Sequence, residues 1–346
     1  MAKAAVRNLL AQACRISGAL AKQEKLARGR LTILCYHRIL PEAEKQKYFC
    51  PDLVVTPEAF RVHCAVLARH YRVLPFTEAY QAHQEAGAST ENEKPLLAIT
   101  FDDGYVDNLE VAAPILKEFG LQATFFIVSG LSGTPNPPWY DVAARCVQQL
   151  DARGEGSGLL GIAVDPQAGV APMALVEAAK KLEPETRHAV IDRLRARLGE
   201  APNFAPQDLV MDAKQLRALR EDGHEIGSHS VSHEILTQLT PEECTAEVFD
   251  SGRQLAESVG SLMTSFCYPN GDHDDFTVAQ VAEAGYTCAV TTVNGSNSSS
   301  AAPFTLKRRY ISEQRLAGIS GRASSTLFRA EVSGLQDRLL RREEGR

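Results

Sequence analysis

The chain has 346 residues, with 37 basic against 43 acidic side chains and a net charge of −6. At ~100–200 residues per domain this length fits two ordinary domains or one large α/β barrel, and 44% hydrophobic with 23% charged residues argues against a disordered or fibrous chain. No apolar run approaches the ~18 residues of a membrane span, and the mild acidity lacks the basic stripe of a dedicated nucleic-acid binder, so no nucleic-acid partner is expected.

In chain order, residues 1–30 read as a basic amphipathic helix. Arg7 and Arg15 interrupt the apolar core that a secretory signal requires, and no small-residue cleavage site follows. No cleavable signal peptide is recognised, and a cytoplasmic location, free or at the inner face of the membrane, is expected. Leu9, Ala13, Ile16 and Leu20 share one helical face, with Lys3, Arg7, Arg15, Lys22 and Lys25 distributed elsewhere. Such a pattern suits peripheral contact of residues 1–28 with an anionic membrane surface. A helix packed on its own domain or on a partner subunit, with its charges solvated, is the more ordinary reading of the same pattern.

Eight short segments then read as strands: Leu31–His37, Tyr71–Pro75, Leu96–Phe101, Ala123–Val128, Glu225–His229, Thr264–Tyr268, Thr287–Thr292 and Thr305–Tyr310. Most are apolar on both faces, as buried parallel strands are. Helix starts lie between them. Thr56-Pro57 and Thr240-Pro241 each set a capping hydroxyl before a proline, and Glu243 completes a capping box. Gly120 and Gly285 follow periodic segments where C-caps belong.

Eight strands alternating with helices predict an α/β fold, a closed or nearly closed (β/α) barrel. An open doubly wound sheet is disfavoured because no Gly-x-Gly-x-x-Gly turn follows a strand. The segment 134–210 has no convincing strand and reads as a helical insertion. Its helices are expected at Asp141–Ala152 and Leu175–Leu198, around a Gly-rich linker near Gly154–Gly161. Ser296–Ala302 reads as a polar loop. The expected division is an N-terminal helix over 1–30, the barrel over 31–312, and a helical tail over 313–346, fraying after Leu340. The eight cysteines are scattered without a Cys-x-x-Cys pair and read as small buried hydrophobes.

Two motifs carry chemistry. Ile99-Thr100-Phe101-Asp102-Asp103-Gly104 closes an apolar strand with two carboxylates. Successive strand side chains point to opposite faces, so both acids can serve one site only where the strand ends and the chain turns. Barrel active sites lie at that end. Gly227-Ser228-His229-Ser230-Val231-Ser232-His233 follows another strand. Its four-residue histidine spacing is expected to set both rings on one side of a helical turn. With an acid from another strand end, the pair supplies three ligands and an open position for water, the layout of a catalytic metal site. Mixed His/Asp ligation suits zinc, with cobalt, nickel or iron as alternatives.

These two motifs resemble the leading motifs of the polysaccharide deacetylases, the NodB-homology enzymes of carbohydrate esterase family four. Leu34-Cys35-Tyr36-His37-Arg38, Ala123-Thr124-Phe125-Phe126, Trp139-Tyr140, Gly223–Gly227, Phe266–Gly271, Thr291–Gly295 and Arg308-Arg309 extend the similarity over roughly 31–311. The resemblance implies a distorted (β/α) barrel, TIM-like with seven or eight strands, and a hydrolase that removes N-acetyl groups from an N-acetylated carbohydrate, in glycan or exopolysaccharide biosynthesis. It implies Asp103, His229 and His233 as ligands of a divalent metal. Asp102 would be the general base that takes a proton from the attacking water. A backbone N–H within Tyr268, Pro269, Asn270 and Gly271 would hold the oxyanion, and Trp139 would offer a face for a sugar.

The sequence departs from the family pattern in two places. Cys267 stands where many members carry an arginine that orients the base, and Asn270 replaces an aromatic. The late Leu-x-His that supplies the general acid is absent, since no histidine follows His273. Some relatives carry an early Tyr-His strand in its place, so His37 becomes the candidate acid and His273 the alternative. Two other readings remain open at this point: a catalytically weak sugar-binding protein on the same barrel, and an amidohydrolase acting on a non-sugar amide.

Overall fold

A computed structural model describes residues 2–85, 94–154 and 172–340. Among the described residues there are ten strands: β1 (Thr32–Tyr36), β2 (Arg38–Ile39), β3 (Val54–Val55), β4 (Arg72–Val73), β5 (Leu96–Phe101), β6 (Thr124–Ile127), β7 (Glu225–Ser228), β8 (Ser265–Cys267), β9 (Cys288–Asn294) and β10 (Leu306–Tyr310). Seven of them form a closed parallel barrel in the order β1-β10-β9-β8-β7-β6-β5, with β1 pairing back onto β5 from Thr32↔Leu97 to Tyr36↔Phe101. The expected strand at Tyr71–Pro75 shrinks to the two residues of β4, outside the ring. It pairs only with the start of β5, at Arg72↔Leu96 and Val73↔Leu97, while β6 takes the end of the same edge.

The strands are apolar on both faces because both faces are buried. Alternation sends Leu34, Tyr36, Ile99, Phe101 and Phe125 outward to the helices, in one cluster with Phe60 and Leu116. Ile33, Ala98, Phe126, Cys267, Val290 and Leu306 fill the interior. Gly227 is required there, because a Cβ would stand 2.6 Å from the Phe126 ring. The floor is closed by the helix Phe76–Glu85. Phe76 N–H donates to Thr124 Oγ1 at 2.8 Å and Thr77 N–H to Glu225 Oε2 at 2.9 Å.

The capping signals form as the sequence predicts. Thr56 Oγ1 accepts from Ala59 N–H at the head of Pro57–His70, and Thr240 with Glu243 makes a reciprocal box at the head of Pro241–Val259. Gly120 and Gly285 both have positive φ.

The insertion between β6 and β7 departs from expectation. It carries Trp139–Ala152, then two helices, Pro172–Ala179 and Pro184–Leu198, where one was expected over Leu175–Leu198. Pro184 cannot continue a preceding helix but suits the first turn of a new one. These helices share their own apolar cluster, from Trp139 to Leu198. Most of the Gly154–Gly161 linker, and the tail after Leu340, lie outside the described residues.

At the N-terminus, Gly18 at φ 77° breaks the chain into helices Ala2–Ile16 and Ala19–Leu26. The single face predicted for Leu9, Ala13, Ile16 and Leu20 therefore does not persist. Leu20 is buried with Ala330 and Leu335 of the tail, whereas Leu9 and Ile16 are exposed. The tail folds back as Ser325–Val332 and Leu335–Leu340, and Phe328 stacks on His63 at 4.0 Å. All eight cysteines are free, and six are buried. Among the described residues, no helix is long and apolar enough to cross a membrane.

Candidate active site

The site forms where β1, β5, β7, β8 and β10 end. Asp102 N–H continues the ladder by donating to Tyr36 O at 3.0 Å, so the Asp102 side chain enters the barrel mouth. The chain then turns left-handed, with φ of 73° at Asp103 and 76° at Gly104, which brings the second carboxylate to the same side. A Cβ on Gly104 would meet Ile127 Cδ1 at 2.7 Å, so the turn depends on glycine for space as well as for φ.

The two histidines meet by a different route from the expected helical turn. Residues 229–233 form an irregular loop in which Ser230 (φ 64°) and His233 (φ 60°) are left-handed. Four-residue spacing implies a common face only if the backbone is helical, and the sequence gives no helix signal there. Side-chain hydrogen bonds hold the loop. Glu247 accepts from Val231 N–H at 2.8 Å, from Ser232 N–H at 2.9 Å and from the Ser232 hydroxyl at 2.6 Å. Ser230 Oγ accepts from His233 N–H at 3.0 Å, and Trp139 Nε1 donates to His233 O at 3.2 Å. Among the described residues, the non-glycine positions with positive φ are Asp103, Ser230, His233 and Asn270, all in this site. Backbone strain of this kind costs on the order of 1–3 kcal/mol per residue and persists where surrounding structure enforces it.

His233 Nε2 lies 3.3 Å and His229 Nε2 lies 3.6 Å from Asp103 Oδ1. A tetrahedral ion with bonds of ~2.0–2.1 Å sets its ligands ~3.4 Å apart, so this donor set fits a divalent metal. His229 Nδ1 is 2.7 Å from Cys267 O, which fixes the ring with Nε2 inward. Burial and the neighbouring His233 push His229 down to about 4, the neutral state a ligand needs. Asp103 falls to about 2: its burial opposes ionisation, but the hydrogen bond and charge of His233 outweigh it.

Asp102 has a partner that the sequence reading missed. Arg308, from β10, donates from Nη1 to Oδ1 at 2.6 Å and from Nη2 to Oδ2 at 2.7 Å. It is anchored in turn on Thr291 O and Thr100 Oγ1. The vacancy inferred at Cys267 is thus filled from another strand, and the Cys267 thiol packs 3.3 Å from Arg308 Nη2. Burial alone would raise the Asp102 carboxyl. The Arg308 charge and hydrogen bonds overcome it, with help from His37 and His229, and hold it well below the usual carboxylate range. A carboxylate that stays ionised and aimed can take a proton from a water in the cavity.

His37, at the end of β1, places Nε2 3.9 Å from Asp102 Oδ2 and lines the cavity. His273 does not reach it; its Nδ1 lies 2.9 Å from Gly271 O, and its ring leans on Tyr268. Within Tyr268–Gly271, Tyr268 N–H donates to Val290 O and Gly271 N–H to Tyr268 O, while Pro269 has none. The remaining donor is the Asn270 N–H.

The cavity, of about 250 Å³, is walled by Trp139, Tyr140, Met173 and Val176 of the insertion, by Phe49 and Leu53 before the helix Pro57–His70, and by Ile235, Thr292 and Tyr310. Trp139 and Tyr140 are largely buried. Tyr140 packs edge-on against His233 at 5.1 Å, and the Arg187 guanidinium covers Trp139 at 4.9 Å. The insertion is therefore part of the site wall. Most of these wall residues carried no sequence signal beyond being apolar.

Comparison with known proteins follows the same outline. The sequence profile of the polysaccharide deacetylases matches residues 89–157 and 176–289. The chain belongs to the polysaccharide deacetylase family. A relative from Bacillus subtilis strain 168, YxkH, assigned to the polysaccharide deacetylases, is 24% identical over 237 residues, covering 68% of this chain and 57% of YxkH. This chain thus matches little more than half the length of that relative. Among solved structures, Streptococcus pyogenes deacetylase PplD, in complex with acetate, superposes with a TM-score of 0.54 at 22% identity, over 82% of this chain and 92% of that one. IcaB from Ammonifex degensii gives 0.54 at 15%, over 88% and 97%, and a polysaccharide deacetylase from Bacillus cereus gives 0.55 at 16%, over 88% and 69%. The shared fold is the barrel described above.

Proposed function

We propose that this protein is a metal-dependent hydrolase that removes N-acetyl groups from a sugar or polysaccharide in glycan or exopolysaccharide biosynthesis. The observation that carries the reading is the convergence of Asp103, His229 and His233 beside a separate carboxylate, Asp102, held by Arg308. Hydrolysis of an unactivated amide needs both parts, because the group that binds the metal is not free to take the proton.

A divalent ion, zinc first and cobalt, nickel or iron as alternatives, would be held by Asp103, His229 and His233, and when bound it supplies Lewis acidity to the water and the acetyl carbonyl. Asp102 accepts the proton of the attacking water, with Arg308 keeping it ionised and oriented. The Asn270 N–H donates to the oxygen that gains charge in the tetrahedral intermediate. His37 delivers a proton to the departing amine, so that acetate and a free amino sugar leave. Trp139 and Tyr140 form the wall against which the sugar ring rests. The division into an N-terminal helical segment over 1–30, a barrel over 31–312 and a tail over 313–346, and a cytoplasmic location, belong to the same proposal.

Arg308 and His37 bear on the sugar-binding alternative, which rested on a missing base partner and a missing acid. The test is metal analysis coupled to acetate release over a panel of N-acetylated mono-, oligo- and polysaccharides, with lipid- and nucleotide-linked acceptors included. About one ion per chain and acetate from at least one carbohydrate, both lost on chelation and restored by metal, is the expected result. Bound metal with no acetate from any member would support a binding protein, and release only from non-sugar amides an amidohydrolase.

A further inference from the structure

We propose that the exposed face of the first helix, with the tip of the hairpin at residues 317–323, docks this protein onto an anionic lipid surface. The helix Ala2–Ile16 presents two distinct sides. One side faces the protein: Asn8 is buried against the hairpin, where Gly318 would set a Cβ 3.1 Å from Asn8 Nδ2, and Ala11 is buried in the main core. On the other side Leu9, Ala13 and Ile16 line up at helical spacing, with Leu10 adjoining, and none is covered. Leu9 is 64% exposed and Ile16 80%.

The hairpin adds a second apolar element from a distant part of the chain. Ala317 bridges Ala323, Gly318 N–H donates to Arg322 O and Gly321 N–H to Gly318 O, and Ile319 stands at the turn with 71% of its surface exposed. A branched apolar residue at a tight turn gains nothing from water, and this one adjoins Gly318, the residue that meets Asn8 of the first helix. The hairpin begins seven residues after Tyr310, which lines the cavity.

Charge selects the occupant. Seven of the 37 basic residues, but one of the 43 acidic ones, fall in the first thirty positions of a chain whose net charge is −6. A second copy of this acidic chain, presenting its own basic helix, would meet like charge. An anionic bilayer is complementary to the basic segment and repels the acidic remainder, and its interface accepts apolar side chains of an in-plane helix. This inference is independent of the catalytic reading.

Vesicle flotation of the full chain tests it, with phosphatidylcholine vesicles against vesicles containing phosphatidylglycerol. Binding should require the anionic lipid and weaken in high salt. Leu9→Glu with Ile16→Glu should lower the bound fraction about tenfold or more, with an unchanged melting curve in lipid-free buffer. Ile319→Glu, which alters no helix, should weaken binding in the same direction. No flotation with anionic vesicles, or flotation unchanged by both variants, would overturn the proposal. So would a fall in lipid-free oligomer size on introducing the glutamates, which would make the stripe a self-association face.

Discussion

Arg308 decides the state of Asp102. A buried carboxylate without a partner titrates upward, so the low value at Asp102 belongs to the pair rather than to the acid. A group whose folded pKa is depressed contributes stability above its unfolded value, ~3.9 for aspartate. That stability is lost only as pH falls through the lower folded value. Activity limited by Asp102 should therefore hold through mildly acidic pH. Arg308→Met removes the main opposition to burial, and the acid limb of kcat/KM should move upward by about one unit or more, as a pH–rate profile would show. His37→Gln should leave the metal in place and lower kcat by ~10²-fold or more on the N-acetyl substrate. Activated aryl acetates should lose much less, because their leaving group needs no proton; equal losses on both would assign His37 to packing.

Much of this residue chemistry is legible in the sequence, because the acid pair and histidine pair sit in short contiguous motifs. Arg308 is not, since its role follows from ring closure. Only when β10 lies beside β1, and β1 beside β5, does a guanidinium 206 positions away reach Asp102. The left-handed turn at 229–233 is also unreadable as such, because Ser230 and His233 carry no glycine-like mark of positive φ.

The elements divide by how much work their own pattern does. The seven barrel strands are found within one or two residues of their reading, since continuous apolar runs bounded by polar turns have few other fates in a buried parallel sheet. The β4 segment fails because Arg72 and Val73 are not fully buried and pair on one edge only. The site depends most on the loop between the two histidines and on what braces it. From behind, Glu247 of the helix Pro241–Val259 takes three of its donors. From the insertion, Arg187 pairs with Glu234, the neighbour of His233, and with Gln238 at 3.0 Å. Glu247→Ala should leave the barrel folded and weaken metal affinity by ~10–100-fold, the usual cost of losing an outer contact to a ligand. Titration with a chromogenic chelator as competitor measures it, and affinity equal to wild type would show that the loop needs no such brace.

At the scale of the whole molecule, the barrel's two ends have separate jobs. The floor is sealed by the Glu225 cluster and the helix Phe76–Glu85, and the mouth carries strained loops on which Asp103, His229 and His233 converge. An ion that binds only the folded chain stabilises it by mass action, ~2.7 kcal/mol at one hundred times its Kd. Chelation should therefore lower the melting temperature by an amount that grows with the metal concentration it reverses, with no change in secondary structure. A melting curve indifferent to metal would mean that Asp103, His229 and His233 are not a ligand set.

The central claim is that one carboxylate of the pair holds the metal while the other takes the proton. Asp102→Asn separates the two, since the amide keeps the shape and cannot accept a proton from water at neutral pH. Acetate release by this variant, measured alongside its metal content, should fall by ~10²–10⁴-fold with full metal occupancy. Near-normal acetate release would contradict the account, and so would loss of the metal together with activity.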